Sequence, residues 1–366
     1  MVYLLADVLY RAGGIETYLH ALSKHLHAEG HLPFRVAVAE LEPCPLVDEL
    51  VASGVSVYRQ RRVPGDRWLV RQRVLFLWLR RQLQPGDWVF CVRQPMPELY
   101  PALVRLVHAR GARLAASWML APEFLPPERA DFSRAVADTD AVISVSACTV
   151  GQFQTVYGYV GRVHVVPYHN LPFFDSALPL SPGPPWRIGY LGRLEIRQKN
   201  VDQLIAAFAL VARDEPEVEL HFYGRGPDQS TLERSAAEAG IERRIFFHGS
   251  YDHRRDLPGI MATNHFFVYP SRYEGGPCFS LLEMMQAGRF CVAAAVGGIP
   301  DLYDGFPEAG MLVESGNSEA LRGALIETLR RVKAGELDPA AVRERYLDGF
   351  TMAAAHRAWK AALGLS

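Results

Sequence analysis

Short runs of apolar, β-prone residues alternate with stretches of helical period over nearly the whole chain. In the first half VYLLADV, FRVAVAEL, VSVYR, WVFCV, RLAASWM, AVISVS and RVHVVPY read as strands. Helix-period segments lie between several of them. From Ile15 to Gly30, Tyr18, Leu22 and Leu26 recur every four residues and Gly30 supplies a stop. Strands this apolar are buried on both faces, which predicts a parallel sheet covered by helices. Residues 171–185, LPFFDSALPLSPGPP, hold five prolines and no period, and read as a linker. The alternation resumes at Trp186 with RIGYL, the helix VDQLIAAFALVARD, the strand VELHFYG and a helix ending at Gly240. It continues through RIFFHG, HFFVYPS, the helix SLLEMMQAG and FCVAAA, and TMAAAHRAWKAALGL is again helical. The expectation is an α/β protein of two doubly wound domains, 1–170 and 186–350, facing each other across a cleft.

Composition adds bounds. A chain of 366 residues suits two domains of roughly 170–180 residues each. A formal charge of −1 provides no global attraction to nucleic acid, so an anionic ligand must be met by local geometry. No run reaches the roughly 18 apolar residues that a membrane-spanning helix needs, and the first residues do not form a signal peptide. The five cysteines, Cys44, Cys91, Cys148, Cys278 and Cys291, are scattered without a CxxC, which reads as reduced, packed thiols in a cytoplasmic protein. The twelve histidines show no HExxH-type spacing, and His25 and His27, two apart on a helix, read as surface residues.

Chemistry is sought in the loops that follow the strands, because open parallel sheets bind ligands at the carboxyl ends of their strands. YRAGGIE follows the first strand and precedes a helix. Gly13 and Gly14 let the backbone approach a ligand and put helix N–H groups behind an anion; a tight turn needing glycine is the competing reading. YGRGPDQ, with Gly224, resembles half of a dinucleotide fingerprint but has Gln229 where the last glycine belongs, and reads as a turn lining a nucleotide pocket. Arg193, after Gly192, ends the strand RIGYLG, and Lys199 stands six residues on. A forked guanidinium and a compact ammonium together suit a diphosphate. Glu274 and Glu283 flank GGPCFSLL, the loop of Gly275, Gly276 and Pro277. A carboxylate can accept both hydrogen bonds of a vicinal diol, although Glu283, placed in the first turn of its helix, could instead serve the helix dipole. A glycoside hydrolase would also flank a sugar with two carboxylates, but has no use for the Arg/Lys pair or the glycine loop.

Taken in order, GYLGRLEIRQKNVDQLIAAF, YGRGP, FFHGSY, VYPSRYEGG, LLEMMQAG, AVGGIPDL and AGMLVE resemble the retaining glycosyltransferase family four, of GT-B fold. GGIETYL, ISVSACT and VVPYHN add weaker matches over the first half. The resemblance implies two Rossmann-like domains and transfer of a sugar from a nucleotide-diphosphate donor to an acceptor hydroxyl, with retention and without a metal or other cofactor. It places the phosphate-binding pair on Arg193 and Lys199, the donor-sugar carboxylate on Glu274, the ribose carboxylate on Glu283 and the diphosphate loop on Gly13 and Gly14. Gly192, Gly224, Gly275, Gly276 and Pro277 complete the donor site, and the helix from 351 to 366 crosses back onto the first domain. Two departures stand out. Eight residues separate the glutamates where the family has seven, and Trp118 and Met119 stand where most members carry a histidine.

The acceptor implied is a glycan, a glycolipid or a small metabolite. Between Arg59 and Arg81 stand eight arginines and one acid, Asp66, with Trp68, Phe76 and Trp78 among them. A basic aromatic helix can lie on the inner, anionic face of a membrane and meet a lipid-linked acceptor; alternatively its apolar residues pack on the sheet while the arginines face water. The rival functions are a sugar-nucleotide-binding subunit without turnover and a nucleotide-sugar epimerase of GT-B fold.

Overall fold

The computed structural model describes residues 1–10, 13–60, 68–94, 96–119, 129–169 and 171–365, with the backbone alone for 68 and 69. The chain forms two units, Met1–Leu171 together with Met352–Ser366, and Pro172–Thr351.

The first unit alternates strand and helix: β1 (Val2–Leu9), α1 (Gly14–Glu29), β2 (Phe34–Glu40), α2 (Pro45–Ala52), β3 (Val57–Gln60), α3 (Trp68–Gln82), β4 (Trp88–Cys91), α4 (Tyr100–His108), β5 (Arg113–Trp118), α5 (Ala130–Ala137), β6 (Ala141–Ser144), α6 (Val150–Tyr157) and β7 (Val163–Val165). All neighbours pair in parallel in the order β3-β2-β1-β4-β5-β6-β7. β1 is apolar on both faces because helices cover both, as the run VYLLADVL predicts. Gly30 ends α1 in the left-handed conformation at φ 68°, where a side chain would be strained.

The second unit holds β8 (Trp186–Leu191), α7 (Ile196–Lys199), α8 (Val201–Asp214), β9 (Val218–Tyr223), α9 (Gln229–Glu238), β10 (Ile245–Gly249), α10 (Leu257–Thr263), β11 (Phe266–Tyr269), α11 (Phe279–Gln286), β12 (Cys291–Ala294), α12 (Pro300–Tyr303), β13 (Gly310–Val313), α13 (Ser318–Lys333) and α14 (Pro339–Gly349). Its parallel sheet runs β10-β9-β8-β11-β12-β13. The strand order reverses between β8 and β11, so the loops after those two strands diverge and leave a crevice at the switch point. The remaining helix, α15 (Met352–Leu363), belongs to the first unit, where buried Trp359 meets Phe90 edge-on at 5.6 Å.

The proline-rich segment is no free tether. Arg289, buried in the second unit, donates through Nη1 to the Leu178 carbonyl and through Nη2 to that of Pro179, each at 2.7 Å. Phe173 N–H donates to Gln286 Oε1 at 2.8 Å and Ser181 Oγ to the Ala262 carbonyl at 2.5 Å. Prolines that cannot enter a ladder are here lashed down through the carbonyls around them. Two sequence expectations about single residues also change. Cys148 is exposed although the other thiols are covered to varying degrees. His25 is half-buried beside α15 instead of standing on the surface.

Candidate functional site

The loops after β8 and β11 carry the charged residues expected from sequence. Arg193 follows Gly192 directly after β8, and Lys199 is the last residue of α7. Asn200 then turns the chain into α8 at φ 54°; its Nδ2 donates to the Pro270 carbonyl at 3.1 Å, tying the two loops together. Arg272 N–H donates to the Gln198 carbonyl at 2.8 Å and adds a second tie.

Lys199 and Glu274 come together across 75 residues of sequence. Lys199 Nζ pairs with Glu274 Oε1 and donates to the Tyr269 hydroxyl at 2.7 Å. The Tyr269 hydroxyl in turn donates to Glu274 Oε1 at 3.1 Å, and Gln198 Nε2 lies 3.5 Å from Oε2. The Lys199 and Glu274 side chains are 12% and 9% exposed, so this charge pair is largely removed from water. Burial pushes the Tyr269 phenol well above its ordinary value, with Glu274 adding to the effect, so it stays a proton donor. Arg193 sits at the rim, exposed, with Nη2 on Glu195 Oε2 at 3.1 Å and on Gln198 Oε1 at 3.2 Å.

Glycines lock the loops. A Cβ on Gly224 would overlap the Gly192 carbonyl oxygen, and one on Gly226 the Leu194 carbonyl oxygen. Gly192 N–H donates to Tyr223 O at 3.0 Å, Leu194 N–H to Arg225 O at 3.1 Å, and Ile196 N–H to Asp228 Oδ2 at 2.7 Å. The half-fingerprint YGRGPD is therefore a buttress beneath the loop that presents Arg193. Gly297, which sequence reading passed over, stands at φ 52°, and a Cβ there would overlap the Glu274 carbonyl oxygen. That fit holds the Glu274 backbone in place, and the extra residue between the two glutamates leaves the Glu274 side chain inside the cluster.

Glu283 is 1% exposed on α11, which opens with Cys278 as N-cap and Phe279 as first helical residue. Glu283 is thus in the second turn and not the first, which removes the helix-dipole reading for it. His253 Nε2 lies 3.3 Å from Glu283 Oε1, and that hydrogen bond raises the His253 pKa above its ordinary value. The Phe173 ring stacks on His253 at 5.9 Å. The Tyr251 phenol is raised by burial first and by Glu283 and Cys278 next, while burial and Glu274 raise the Cys278 thiol. Cys278, just beyond Gly275, Gly276 and Pro277, thus feels Glu274, and Tyr251 feels both Glu283 and Cys278.

Gly13 and Gly14 begin α1 in the other unit. There the Glu16 side chain, 4% exposed, accepts from Tyr10 N–H at 2.8 Å, and a Cβ on Gly13 would meet Glu16 Oε2 at 2.7 Å. The expected anion pocket has a carboxylate of its own beside it. Trp118, where a histidine was looked for, is packed against Tyr100, Phe153 and Tyr157 and belongs to the core. Tyr269, Gln198, Glu195 and His253 were not legible as site residues. An aromatic closing an apolar strand reads as core, and the partners of His253 and Gln198 are remote in sequence.

Two doubly wound sheets, the second with Lys, Arg and Glu gathered at its switch point, are the architecture of a sugar-transferring enzyme of GT-B type. Residues 185–331 match the family described as Glycosyl transferases group 1. The chain is 27% identical over 361 residues to a GDP-mannose-dependent alpha-(1-6)-phosphatidylinositol monomannoside mannosyltransferase of Mycolicibacterium smegmatis, covering 90% of this chain and 89% of that protein. The protein of the same description in Mycobacterium tuberculosis is 26% identical over 350 residues, covering 87% and 86%. Among solved structures, the lipopolysaccharide outer core galactosyltransferase WaaB aligns at TM-score 0.76 and 18% identity over 99% of both chains. Anabaena HepE in complex with UDP aligns at TM-score 0.74 and 18% identity over 100% of both. The chain is a nucleotide-sugar-dependent glycosyltransferase of GT-B fold, and residues 185–331 of its second unit are similar to the group 1 family.

Proposed function

We propose that the protein moves a hexose from a nucleotide-diphosphate sugar to an acceptor hydroxyl, with retention and without a catalytic metal. The Lys199–Tyr269–Glu274 cluster at the β8/β11 switch point carries this reading. In it a cation and a carboxylate neutralise each other. A donor would divide them, its diphosphate drawing Lys199 and Arg193 and its sugar hydroxyls drawing Glu274. As the bond from the anomeric carbon to the diphosphate oxygen breaks, negative charge grows on the leaving oxygen, where fixed cations stabilise it most. The acceptor oxygen bonds to the anomeric carbon on the same face, and its proton passes to the departing diphosphate. Glu283, buried beside the same loop, is assigned to the ribose diol.

GDP-mannose is the donor to test first, because the relatives that align over about 90% of this chain are described as using it. A thermal-shift panel of GDP-, UDP-, ADP- and CDP-sugars identifies the base, since a ligand at 100 times its dissociation constant stabilises by about 2.7 kcal/mol. Turnover is then followed as release of nucleoside diphosphate with and without EDTA, and the anomeric proton of the product is read by NMR. Loss of activity in EDTA without a fall in the melting temperature overturns metal independence, an inverted product overturns retention, and stabilisation without turnover over a broad acceptor set favours a binding subunit.

For the acceptor we propose a lipid-linked glycan reached at an anionic membrane surface. Among the described residues no helix is long and apolar enough to cross a membrane. Of the arginines in the basic stretch, Arg59 pairs with Glu40 and Asp48 and buried Arg71 donates to the Glu40 carbonyl, while residues 61–67 lie outside the described residues. On α3, Leu75 and Leu79 pack into the core, but Val70, Val74 and Leu77 are exposed at 49%, 41% and 53%, with Arg73, Arg80 and Arg81 exposed beside them. Apolar and cationic side chains sharing one outer face suit the headgroup boundary of a membrane. Co-sedimentation with anionic but not neutral vesicles is expected, and equal pelleting with both overturns the proposal.

A further inference from the structure

In the first unit α15 packs on α1, and three ligand-type side chains converge where they touch. His25 and Glu29 are four residues apart and so project from one face of α1; His356 comes from α15. We propose that His25, Glu29 and His356 bind a divalent cation of the zinc class, stapling α15 to α1.

The distances carry the proposal. His25 Nε2 lies 3.3 Å and His356 Nδ1 3.2 Å from the same oxygen, Glu29 Oε1. A tetrahedral zinc with bonds of about 2.0–2.1 Å has edges between its ligand atoms of about 3.3 Å. All three groups offer ligand atoms within 4.8 Å of one another, and among the described residues no other trio of His, Cys, Asp or Glu does so. The donor set is one that zinc accepts, two imidazoles and a carboxylate, with water as the fourth ligand. Access exists, since the His25 and Glu29 side chains are 21% and 32% exposed while that of His356 is 3%. The other carboxylate oxygen, Oε2, is held by Lys360 Nζ at 3.1 Å. A bond of that kind fixes the ligand from behind, as outer-shell partners of metal sites do. Lys360 also opposes the cation by its charge, so the expected affinity is below that of an all-neutral histidine site. The site lies outside the donor cluster and is structural; the metal-independent transfer proposed above is unaffected by it.

The test uses the full chain, stripped with a chelator and dialysed. Zinc is titrated in competition with a chromogenic chelator, and the thermal midpoint is recorded with and without the metal. The expected result is one equivalent bound per chain, with a rise in the midpoint. His25→Ala and Glu29→Gln, both at partly exposed positions that should fold, are each expected to weaken binding by at least about tenfold, the lower end of what loss of an outer-shell partner alone costs. Cobalt(II) should bind the same site and give the visible absorption of a low-coordinate nitrogen and oxygen set, lost in both variants. No stoichiometric zinc, or zinc bound equally well by both variants, overturns the proposal.

Discussion

Lys199→Met removes the cation from a cluster in which Glu274 is otherwise contacted by the Tyr269 hydroxyl at 3.1 Å and Gln198 Nε2 at 3.5 Å. With the two side chains 12% and 9% exposed, water replaces little of what is lost. Breaking a buried pair from one side costs about 3–5 kcal/mol, chiefly because the remaining charge is stranded. At the lower figure, and at about 2–4 °C per kcal/mol for a domain of this size, the second unit should melt about 6–12 °C lower. The double variant Lys199→Met with Glu274→Gln strands no charge, and most of that loss should be recovered. Turnover behaves differently. Withdrawing one group that stabilises charge in the transition state costs about 10²–10³ in kcat, and the double variant should stay as slow as the single. Differential scanning fluorimetry and nucleoside diphosphate release, run on all four members of the cycle, separate the two effects. A single variant melting within a degree of the parent would refute the stranded-charge argument. A double variant that regains turnover would refute the catalytic one.

Glu283→Gln should weaken both intact donor and free nucleoside diphosphate by about 10–100-fold, the worth of a charge-assisted hydrogen bond, whereas Glu274→Gln should slow turnover and spare the free nucleotide; calorimetry distinguishes them. His253 holds its proton above its ordinary value through Glu283, so its hold on that carboxylate is complete below about pH 6.5 and is lost as pH rises through the raised value. A ribose competing for Glu283 should therefore bind more tightly on the alkaline side, and a His253→Asn variant with the same slope would refute the competition. Gly297→Ala adds a Cβ at φ 52° against the Glu274 carbonyl, and should lower the melting temperature of the second unit and turnover together; parent-like activity would show that the loop absorbs the clash.

The strands were legible because parallel sheets write themselves as unbroken apolar runs, and α1 because its four-residue spacing ends on a glycine. The switch-point charges were legible too, since Arg193, Lys199 and Glu274 stand in the loops that follow apolar strands, where open parallel sheets bind ligands. What escaped reading depended on distance or on ambiguous residue types. Tyr269 closes the apolar strand FFVY and looks like core; the Lys199 ammonium from 70 residues away and the Glu274 carboxylate give its hydroxyl a task. Glu283 was placed one turn too early because α11 opens at Phe279, one residue before the Ser280 at which the helical reading SLLEMMQAG begins. His25 looked superficial because its neighbour His356 lies on α15, far along the chain. The proline-rich segment looked loose since its anchors, Arg289 and Gln286, lie more than a hundred residues downstream.

The return of α15 to the first unit has a consequence for synthesis on the ribosome. The seven-stranded sheet is complete once residue 171 has been made, yet Trp359, which covers Phe90, follows only after the whole second unit. At about 5–20 residues per second that interval lasts about 10–40 s. Throughout it the newborn first unit exposes an aromatic slot that its own chain has not yet supplied. The second unit, being one contiguous segment, can finish folding before the first does.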